Sequence, residues 1–262
     1  MRTKGKVSLT IICIMVFIAI LAPQITPYDP NNFSYQPLQS PNKDHLLGTN
    51  HLGQDNFSAL IIGFRVSIGI SILSAFISSL VGTFLAVVCA FYRGRIEDVI
   101  MKTTELFIIL PEIILIMIFA SFTRPSVFNV IFVISLFSWS RVTRIVRSKA
   151  VVAMTRESIQ YALLLKGGFF HIFKKIWLEI YPAVATMFIL QCSKAMMYEA
   201  NLSFLGIGDP TAKSWGRTIR QAMDFEGVFD SYYLWWLVPP IVCIVIFIWS
   251  LSIISFDIDK SD

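Results

Sequence analysis

Charge is what this sequence has least of. Of its 262 residues only 15% are charged, whereas 55% are hydrophobic and 14% are aromatic. An average soluble domain carries about a quarter charged residues and about 45–50% apolar residues. So few charges could not cover a folded surface of this size in water. The composition therefore excludes a soluble globular protein, a disordered chain and a nucleic-acid binder with a basic folded surface, and it predicts a protein embedded in lipid.

The sequence also lacks the common motifs of catalysis and metal binding. It has no Walker A motif, which argues against ATP binding by this chain, and no HExxH or CxxC motif. Its four cysteines lie in or beside apolar runs, where a cysteine is usually a small hydrophobic residue. Of its three histidines, His45 and His51 lie in a predicted outer segment and His171 lies in a predicted inner loop, so they do not form a metal site. We therefore predict no enzyme activity, no metal site and no cofactor bound by this chain.

Long apolar runs are what the sequence does contain, and a helix needs about 20 such residues to cross a bilayer. Three runs are free of charge: 7–28, 66–92 and 231–256. Three others are interrupted or bounded by charge: 99–122, 126–140 and 178–200. The first run lacks a small-residue cleavage site, so we interpret it as an uncleaved helix. The pattern predicts an all-α polytopic membrane protein with six transmembrane helices.

The basic residues predict the orientation of these helices. With the N-terminus inside, fifteen of the 22 Lys and Arg residues, Arg2 and Lys260 among them, fall on the cytoplasmic side. This bias predicts that both termini are cytoplasmic. The chain then divides into a tail and first helix (1–28), an extracytoplasmic segment (29–64) and a core of five transmembrane helices (65–262). The core contains a basic cytoplasmic loop, 147–177, whose amphipathic pattern fits a helix on the membrane surface or one docked into a cytoplasmic partner.

Three segments carry a resemblance to a known family. The first reads HLLGTNHLGQD from His45 and GFRVS from Gly63, the second is the loop 156–182, and the third reads EANLSFLGIG from Glu199, followed by Pro210 and SWG at 214–216. Together they resemble the permease subunits of ABC importers for dipeptides, oligopeptides and nickel, specifically the second of the two paired permeases. The resemblance covers nearly the whole chain and implies the type I ABC importer permease fold.

Within the inner loop, the resemblance is to an element that couples such permeases to their ATPases. The matching positions are Glu157, Tyr161, Ala162, Gly167, Gly168 and Pro182. Leucines replace the second small residue and the usual arginine, so the match is degenerate. The resemblance implies a short helix seated in a groove of the ATPase, a glycine turn that ends it, and a proline that begins the next helix.

The segment between the last two spans is rich in Gly, Pro and Asp. Gly206 and Gly208 suit a tight turn in a gate or re-entrant segment, and Trp215 and Gly216 follow in the same motif. The resemblance implies that this region faces the protein that delivers the substrate. Without the resemblance, a plain connecting loop is the simpler interpretation.

Six charged residues lie within the predicted spans, and four of them are candidate pathway or gate residues: Glu105, Glu112, Lys194 and Glu199. Charges at membrane depth usually face a cavity or a partner. Glu105 and Glu112 are two helical turns apart and would share a face, with Pro111 between them disturbing the helix. One hypothesis is that Glu112 faces the translocation path and favours a cationic substrate. The alternative is structural pairing, with Glu105 bound to a nearby cation and Glu112 paired across the permease interface.

The resemblance implies a function and a set of partners. The chain would form half of a translocation path for peptides, nickel or metal chelates in a prokaryotic cell membrane. Its partners would be a second homologous permease, two cytoplasmic ATPases that use ATP, an extracytoplasmic solute-binding protein and the lipid bilayer, with no nucleic acid. The alternative from another class is a secondary transporter or channel driven by an ion gradient through Glu105, Glu112 and Glu199.

Overall fold

The computed structural model describes residues 3–30, 32–227 and 229–259, and within them it is helical with no β-strand. The helices are α1 Thr3–Ile25, α2 Asn56–Gly63, α3 Gly69–Tyr92, α4 Gly94–Ile109, α5 Glu112–Phe122, α6 Val127–Ala153, α7 Glu157–Leu164, α8 Phe169–Phe204, α9 Trp215–Met223 and α10 Val238–Asp259. A π-helical turn, Phe64–Ile68, joins α2 to α3, and a 3₁₀ turn, Tyr232–Leu234, precedes α10. Arg2 and Lys260, which entered the charge count, lie outside the described residues.

Among the described residues, five helical segments are long and apolar enough to cross a membrane: Thr3–Ile25, Asn56–Tyr92, Val127–Ala153, Phe169–Phe204 and Tyr232–Ile258. The helices α4 and α5 meet at an angle of 89°. They give a sixth crossing if the pair counts as one broken span. The break lies at Leu110 and Pro111. Leu110 is extended (ψ 139°), as the residue before a proline tends to be. The six predicted spans thus correspond to five straight crossings and one bent pair.

That bend corrects one inference from the sequence. Glu105 lies on α4 and Glu112 begins α5, so the two carboxylates do not share a face of one helix. The seven-residue spacing is meaningful only on a continuous helix, and Pro111 interrupts it because proline has no backbone N–H and cannot continue the ladder of hydrogen bonds.

Side-chain caps explain where several helices begin. Asp55 accepts a hydrogen bond from the Ser58 backbone N–H (2.7 Å) at the start of α2. Ser126 caps α6 and Ser214 caps α9 in the same way. Each carboxylate or hydroxyl satisfies a backbone donor that the first turn leaves free. The second spanning helix consequently begins at Asn56, ten residues before the predicted start at 66.

The helices α3, α6 and α8 form the centre of the bundle, and small residues along α3 allow them to approach closely. One apolar cluster joins the last turns of α3 and α6 to α7 and the first turns of α8, and we call this the α7 end of the bundle. The opposite, α9 end holds α2, α9 and the segment 29–55. Outside the centre, α1 packs against α10 and against the turn at Phe64–Ile68.

Two predicted boundaries in the core differ from the structure. The long helices occupy most of the predicted loop 147–177, because α6 continues to Ala153 and α8 already begins at Phe169. Pro182 lies inside α8 and does not begin it.

Candidate functional site

Trp215 anchors the segment between the last two spans to the rest of the bundle. The side chain is fully buried, and its ring packs edge-on against Phe64 at a centroid distance of 4.8 Å. Its indole N–H donates to the Leu60 carbonyl (3.2 Å), and its backbone N–H donates to the Ser67 hydroxyl (3.1 Å). A Cβ at Gly63 would collide with the indole ring. The end of α2 thus gives the indole ring a flat surface at Gly63, and the π-helical turn that follows supplies the Ser67 hydroxyl as a hydrogen-bond acceptor.

Glu199 lies next to this tryptophan in the interior of the protein. It is fully buried, and its Oε1 accepts a hydrogen bond from the Ser203 hydroxyl at 2.7 Å. The hydroxyls of Ser67 and Ser214 face the same carboxylate. Two of the three segments that carry the family resemblance, the GFRVS segment and the EANLSFLGIG–SWG segment, therefore meet in one place. We call this group, Ser67, Glu199, Ser203, Ser214 and Trp215, the anchor site.

The turn that follows α8 has the conformation that its glycine permits. Gly206 is left-handed (φ 77°), and its N–H donates to the Ser203 carbonyl (3.1 Å). The Ile207 N–H reaches the Leu202 carbonyl (2.9 Å), which completes a Schellman cap. Gly208 passes close to Ser203, where a Cβ would stand 2.6 Å from the hydroxyl. This segment is therefore folded onto the end of α8.

Asp209 ties the same segment to the first turn of α6. Its carboxylate accepts the Thr211 backbone N–H (2.8 Å) and hydroxyl (2.7 Å), and it also accepts the backbone N–H of Val127 (3.3 Å). Partial burial raises the pKa of Asp209, but these hydrogen bonds outweigh that effect and hold the pKa below its ordinary value. A carboxylate at the N-terminus of α6 also complements the helix dipole.

A second polar group, which we call the Glu112 cluster, lies where α5, α6 and α8 meet. Glu112 accepts a hydrogen bond from the Ser138 hydroxyl (2.5 Å) and lies 3.8 Å from Arg141 Nε and 3.9 Å from Lys194 Nζ. The Tyr198 hydroxyl faces the same carboxylate. Glu112 is only 9% exposed, whereas Arg141 is 50% and Lys194 is 30% exposed. The accessible charge of the cluster is therefore positive.

The remaining charged candidates are not brought together. Glu105 is exposed on α4, beyond the break, and Lys194 belongs to the Glu112 cluster whereas Glu199 belongs to the anchor site. The cationic-substrate hypothesis for Glu112 stays a prediction. The two cations within 4 Å of the Glu112 carboxylate argue against this hypothesis, because they would repel a cationic substrate.

At the other end of the bundle, α7 is half embedded in the apolar cluster. Ile159 and Ala162 are buried against α6 and α8, whereas Tyr161, Leu164 and Leu165 are from 66% to 84% exposed. Glu157 lies in the first turn of α7, where a carboxylate favours the helix dipole. The C-terminal part of this short helix therefore exposes large apolar and aromatic side chains.

The turn that ends α7 differs from the prediction. The left-handed residue is Lys166 (φ 54°), and its N–H donates to the Leu163 carbonyl (2.9 Å). Gly167 follows, with its N–H donating to the Ala162 carbonyl (2.9 Å), and a Cβ there would stand 2.7 Å from that oxygen. A glycine is thus required at position 167, because the backbone there passes close to the Ala162 carbonyl. Gly168 is the N-cap of α8.

Sequence reasoning missed several residues that the fold uses. Glu97 on α4 pairs with Arg147 on α6, whose Nε donates to Glu97 Oε1 at 2.6 Å. Ser67 lay within a quoted motif, but nothing in its own segment indicated that it contacts Trp215. Opposite charges near the first turn of α4 and the last turns of α6 were the available signal for the Glu97–Arg147 pair. Within the described residues, no group of three His, Cys, Asp or Glu side chains is placed to hold a metal ion.

These features define a class of protein. Several helices are long and apolar enough to cross a membrane, a folded segment is anchored at one end, a short, partly exposed helix lies at the other, and a charged cluster lies among the spanning helices. Such a molecule is a multi-pass membrane transport component. Charges among membrane-spanning helices are energetically unfavourable unless they face a path, a cavity or a partner.

Comparison with known proteins gives the family. The chain belongs to the family described as binding-protein-dependent transport system inner membrane component, whose sequence model matches residues 78–259. Residues 5–45 match a second model, described as the N-terminal TM domain of oligopeptide transport permease C. The protein is therefore a permease subunit of a binding-protein-dependent ABC importer, which is a transport component and not in itself an enzyme.

Curated relatives align over most of their own length. One is a putative peptide transport system permease protein of Brucella suis biovar 1 (strain 1330), 30% identical over 90% of this chain and 79% of the relative. Another is the oligopeptide transport system permease protein OppC of Lactococcus lactis subsp. cremoris (strain SK11), 29% identical over 96% of this chain and 86% of the relative.

Proposed function

We propose that this chain forms one half of the translocation path of a peptide importer, together with a second permease. The names of the relatives supply the substrate class, because they describe peptide and oligopeptide permeases. Nickel and metal chelates are transported elsewhere in the wider family, but no feature of the described residues favours them. The position of α7 is the observation that carries the rest of the proposal.

The proposed docking surface for an ATPase is the exposed side of α7. Tyr161, Leu164 and Leu165 form an apolar patch on a helix whose opposite side is locked into the core by Ile159 and Ala162. A helix fixed in this way can pass a displacement of its partner directly to α6 and α8. The chain itself binds no nucleotide in this scheme, and ATP is used by two partner ATPases.

The same geometry gives the proposed orientation. The α7 end would be cytoplasmic, together with both termini, and the α9 end would face the extracytoplasmic binding protein. Lys and Arg residues concentrate near the α7 end, in agreement with the positive-inside rule. Closing of the ATPases on ATP would then shift α7 and change which side of the path is open.

Co-purification tests this proposal. The complex is isolated in mild detergent through a tag on this chain, and the ATPases and the second permease are measured in the eluate. We expect Leu164→Asp to remove the ATPases and to leave the second permease bound, because a charge would be buried in the docking groove. Leu46→Asp is the matched control, since Leu46 is also exposed (59%) but lies at the α9 end.

Two results would contradict the proposal. Retention of the ATPases by Leu164→Asp would show that α7 lies elsewhere, for instance on the membrane surface. Peptide uptake by this chain alone in liposomes, driven by an ion gradient, would support the secondary transporter instead.

A further inference from the structure

The Glu112 cluster leaves two cations with unused hydrogen-bond donors. Arg141 and Lys194 approach Glu112 only to 3.8 and 3.9 Å, which is beyond hydrogen-bond distance. Glu112 is satisfied instead by the Ser138 hydroxyl at 2.5 Å, with the Tyr198 hydroxyl also facing it. Within the part of the chain that the structure describes, the side chains of Arg141 and Lys194 donate no hydrogen bond.

The depth of these cations indicates what their face of the protein meets. Arg141 lies near the midpoint of α6, and Gln191, one turn before Lys194 on α8, donates to the Ser138 carbonyl at the same level. Both cations are partly exposed. A charge turned toward lipid at this depth is costly, so this face is expected to border water or a polar partner.

The other faces of the bundle differ sharply from this one. Residues 7–25 of α1, 69–92 of α3 and 238–256 of α10 contain no charged residue. Their exposed side chains include large apolar groups such as Phe17, Phe76 and Trp249. These faces suit lipid, which leaves the surface of α5, α6 and α8 as the one that borders the path.

The charges of the cluster select the kind of group that can bind there. Two cations and one carboxylate give a net charge of about +1, and the carboxylate is nearly covered while the cations are open. Arg141 can offer a planar pair of donors and Lys194 a compact ammonium group, and both are suited to carboxylate oxygens. Glu112 holds the two cations near one point without neutralising both.

We propose that Arg141 and Lys194 form a transient binding site for a carboxylate group of the peptide in the translocation path. This inference rests on the proposed function, since it takes peptides as the substrate. Glu112 is a positioning residue: it is hydrogen-bonded to Ser138 and keeps the two cations together. The carboxylate can be the C-terminus of the peptide or an acidic side chain, because both present the same pair of oxygens.

The test uses the complete importer in proteoliposomes with its binding protein. Uptake is compared for a labelled alanine tripeptide, its C-terminal amide, and the amide of a peptide with a central glutamate. The peptides are chosen so that the binding protein holds them with similar affinity. We expect the wild type to import the free acid about ten-fold faster than the alanine amide, and we expect the glutamate peptide to recover uptake if a side-chain carboxylate also binds.

Variants of this chain assign the preference to the cluster. Arg141→Gln and Lys194→Gln should each bring the ratio of acid to amide uptake toward one, and Arg141→Lys should retain most of it. Arg124→Gln is the matched control, because it removes a positive charge outside the cluster and should leave the ratio unchanged. The binding protein is the same throughout, so a change in the ratio comes from the permease.

Two outcomes would overturn the inference and leave the proposed function standing. One is an unchanged ratio in both Gln variants while uptake continues. The other is loss of the second permease from Arg141→Gln and Lys194→Gln on purification, which would assign the cations to an acidic residue across the permease interface. Failure of the wild-type complex to import any peptide would instead contradict the proposed function.

Discussion

Replacement of Gly216 by alanine tests the anchor site directly, because the structure leaves no room there. A Cβ at this position would stand 2.5 Å from the Ala200 carbonyl oxygen and 2.8 Å from the Ala200 Cα. Ordinary contact begins near 3.4 Å, so α9 would have to move by about 1 Å from α8. Because Ala200 presents backbone atoms, no rotation of a side chain can relieve the contact.

The expected cost follows from these distances. Overpacking of this kind destabilises by about 1–3 kcal/mol. The greater helix propensity of alanine recovers less than about 1 kcal/mol near a helix terminus. We expect a net loss of about 1–2 kcal/mol, and therefore a melting temperature lower by about 2–8 °C. The same shift displaces Trp215 from Ser67, so peptide uptake should fall as well.

The assay is thermal unfolding of the purified complex in detergent, with uptake measured in parallel. Gly69→Ala is the matched control, because a Cβ there would meet nothing within 4 Å and alanine favours the helix. Its melting temperature should stay the same or rise slightly. Equal melting temperatures for Gly216→Ala and Gly69→Ala would refute the reasoning, since the two positions differ only in what surrounds them.

Three further predictions concern other parts of the chain, each followed by the melting temperature of the complex. Lys166→Gly should raise the melting temperature by an amount equivalent to about 1 kcal/mol, because glycine adopts the left-handed conformation without strain. An unchanged melting temperature would contradict this. Glu97→Gln should lower stability by about 1 kcal/mol through loss of the pair with Arg147, and an equal effect in high salt would count against an ionic origin. Burial lowers the pKa of His51, which packs beside Phe225. The contribution of its neutral imidazole to the free energy of unfolding is therefore complete above about pH 6.5 and declines as the pH falls below that value. His51→Phe should therefore lose less stability than wild type between pH 7.5 and 5, and parallel losses would exclude His51 as the cause.

The sequence predicted the class and the crossings well, because the signals for both are local. A run of about 20 apolar residues has few stable arrangements other than a membrane helix. The same locality explains why the boundaries near residues 56 and 169 were misplaced. Polar and basic residues continue a helix beyond the bilayer as readily as they begin a loop, and α8 is 36 residues long.

The candidate site was predicted less completely. The motif around Glu199 and Trp215 was recognised, but its partner at Ser67 lies 148 positions away from Trp215 along the chain. Such a contact has no periodicity or spacing that a single sequence could reveal. Glu112 was singled out as a charge within a predicted span, but its neighbours Arg141 and Lys194 lie on two other helices, and spacing along the chain does not reveal that proximity.

The sequence by itself therefore determined that the chain lies in lipid, where its apolar spans are and which family it belongs to. Each of these follows from composition, from runs of neighbouring residues or from motifs that remain together in the chain. Only the tertiary structure decided which charges share a site: it placed Glu112 between Arg141 and Lys194, and it enclosed Glu199 among serines. The physical reason is the range of the interactions. Hydrophobic transfer acts on each segment separately, whereas an ion pair or a hydrogen bond depends on distances that are set only when α5, α6 and α8 pack together.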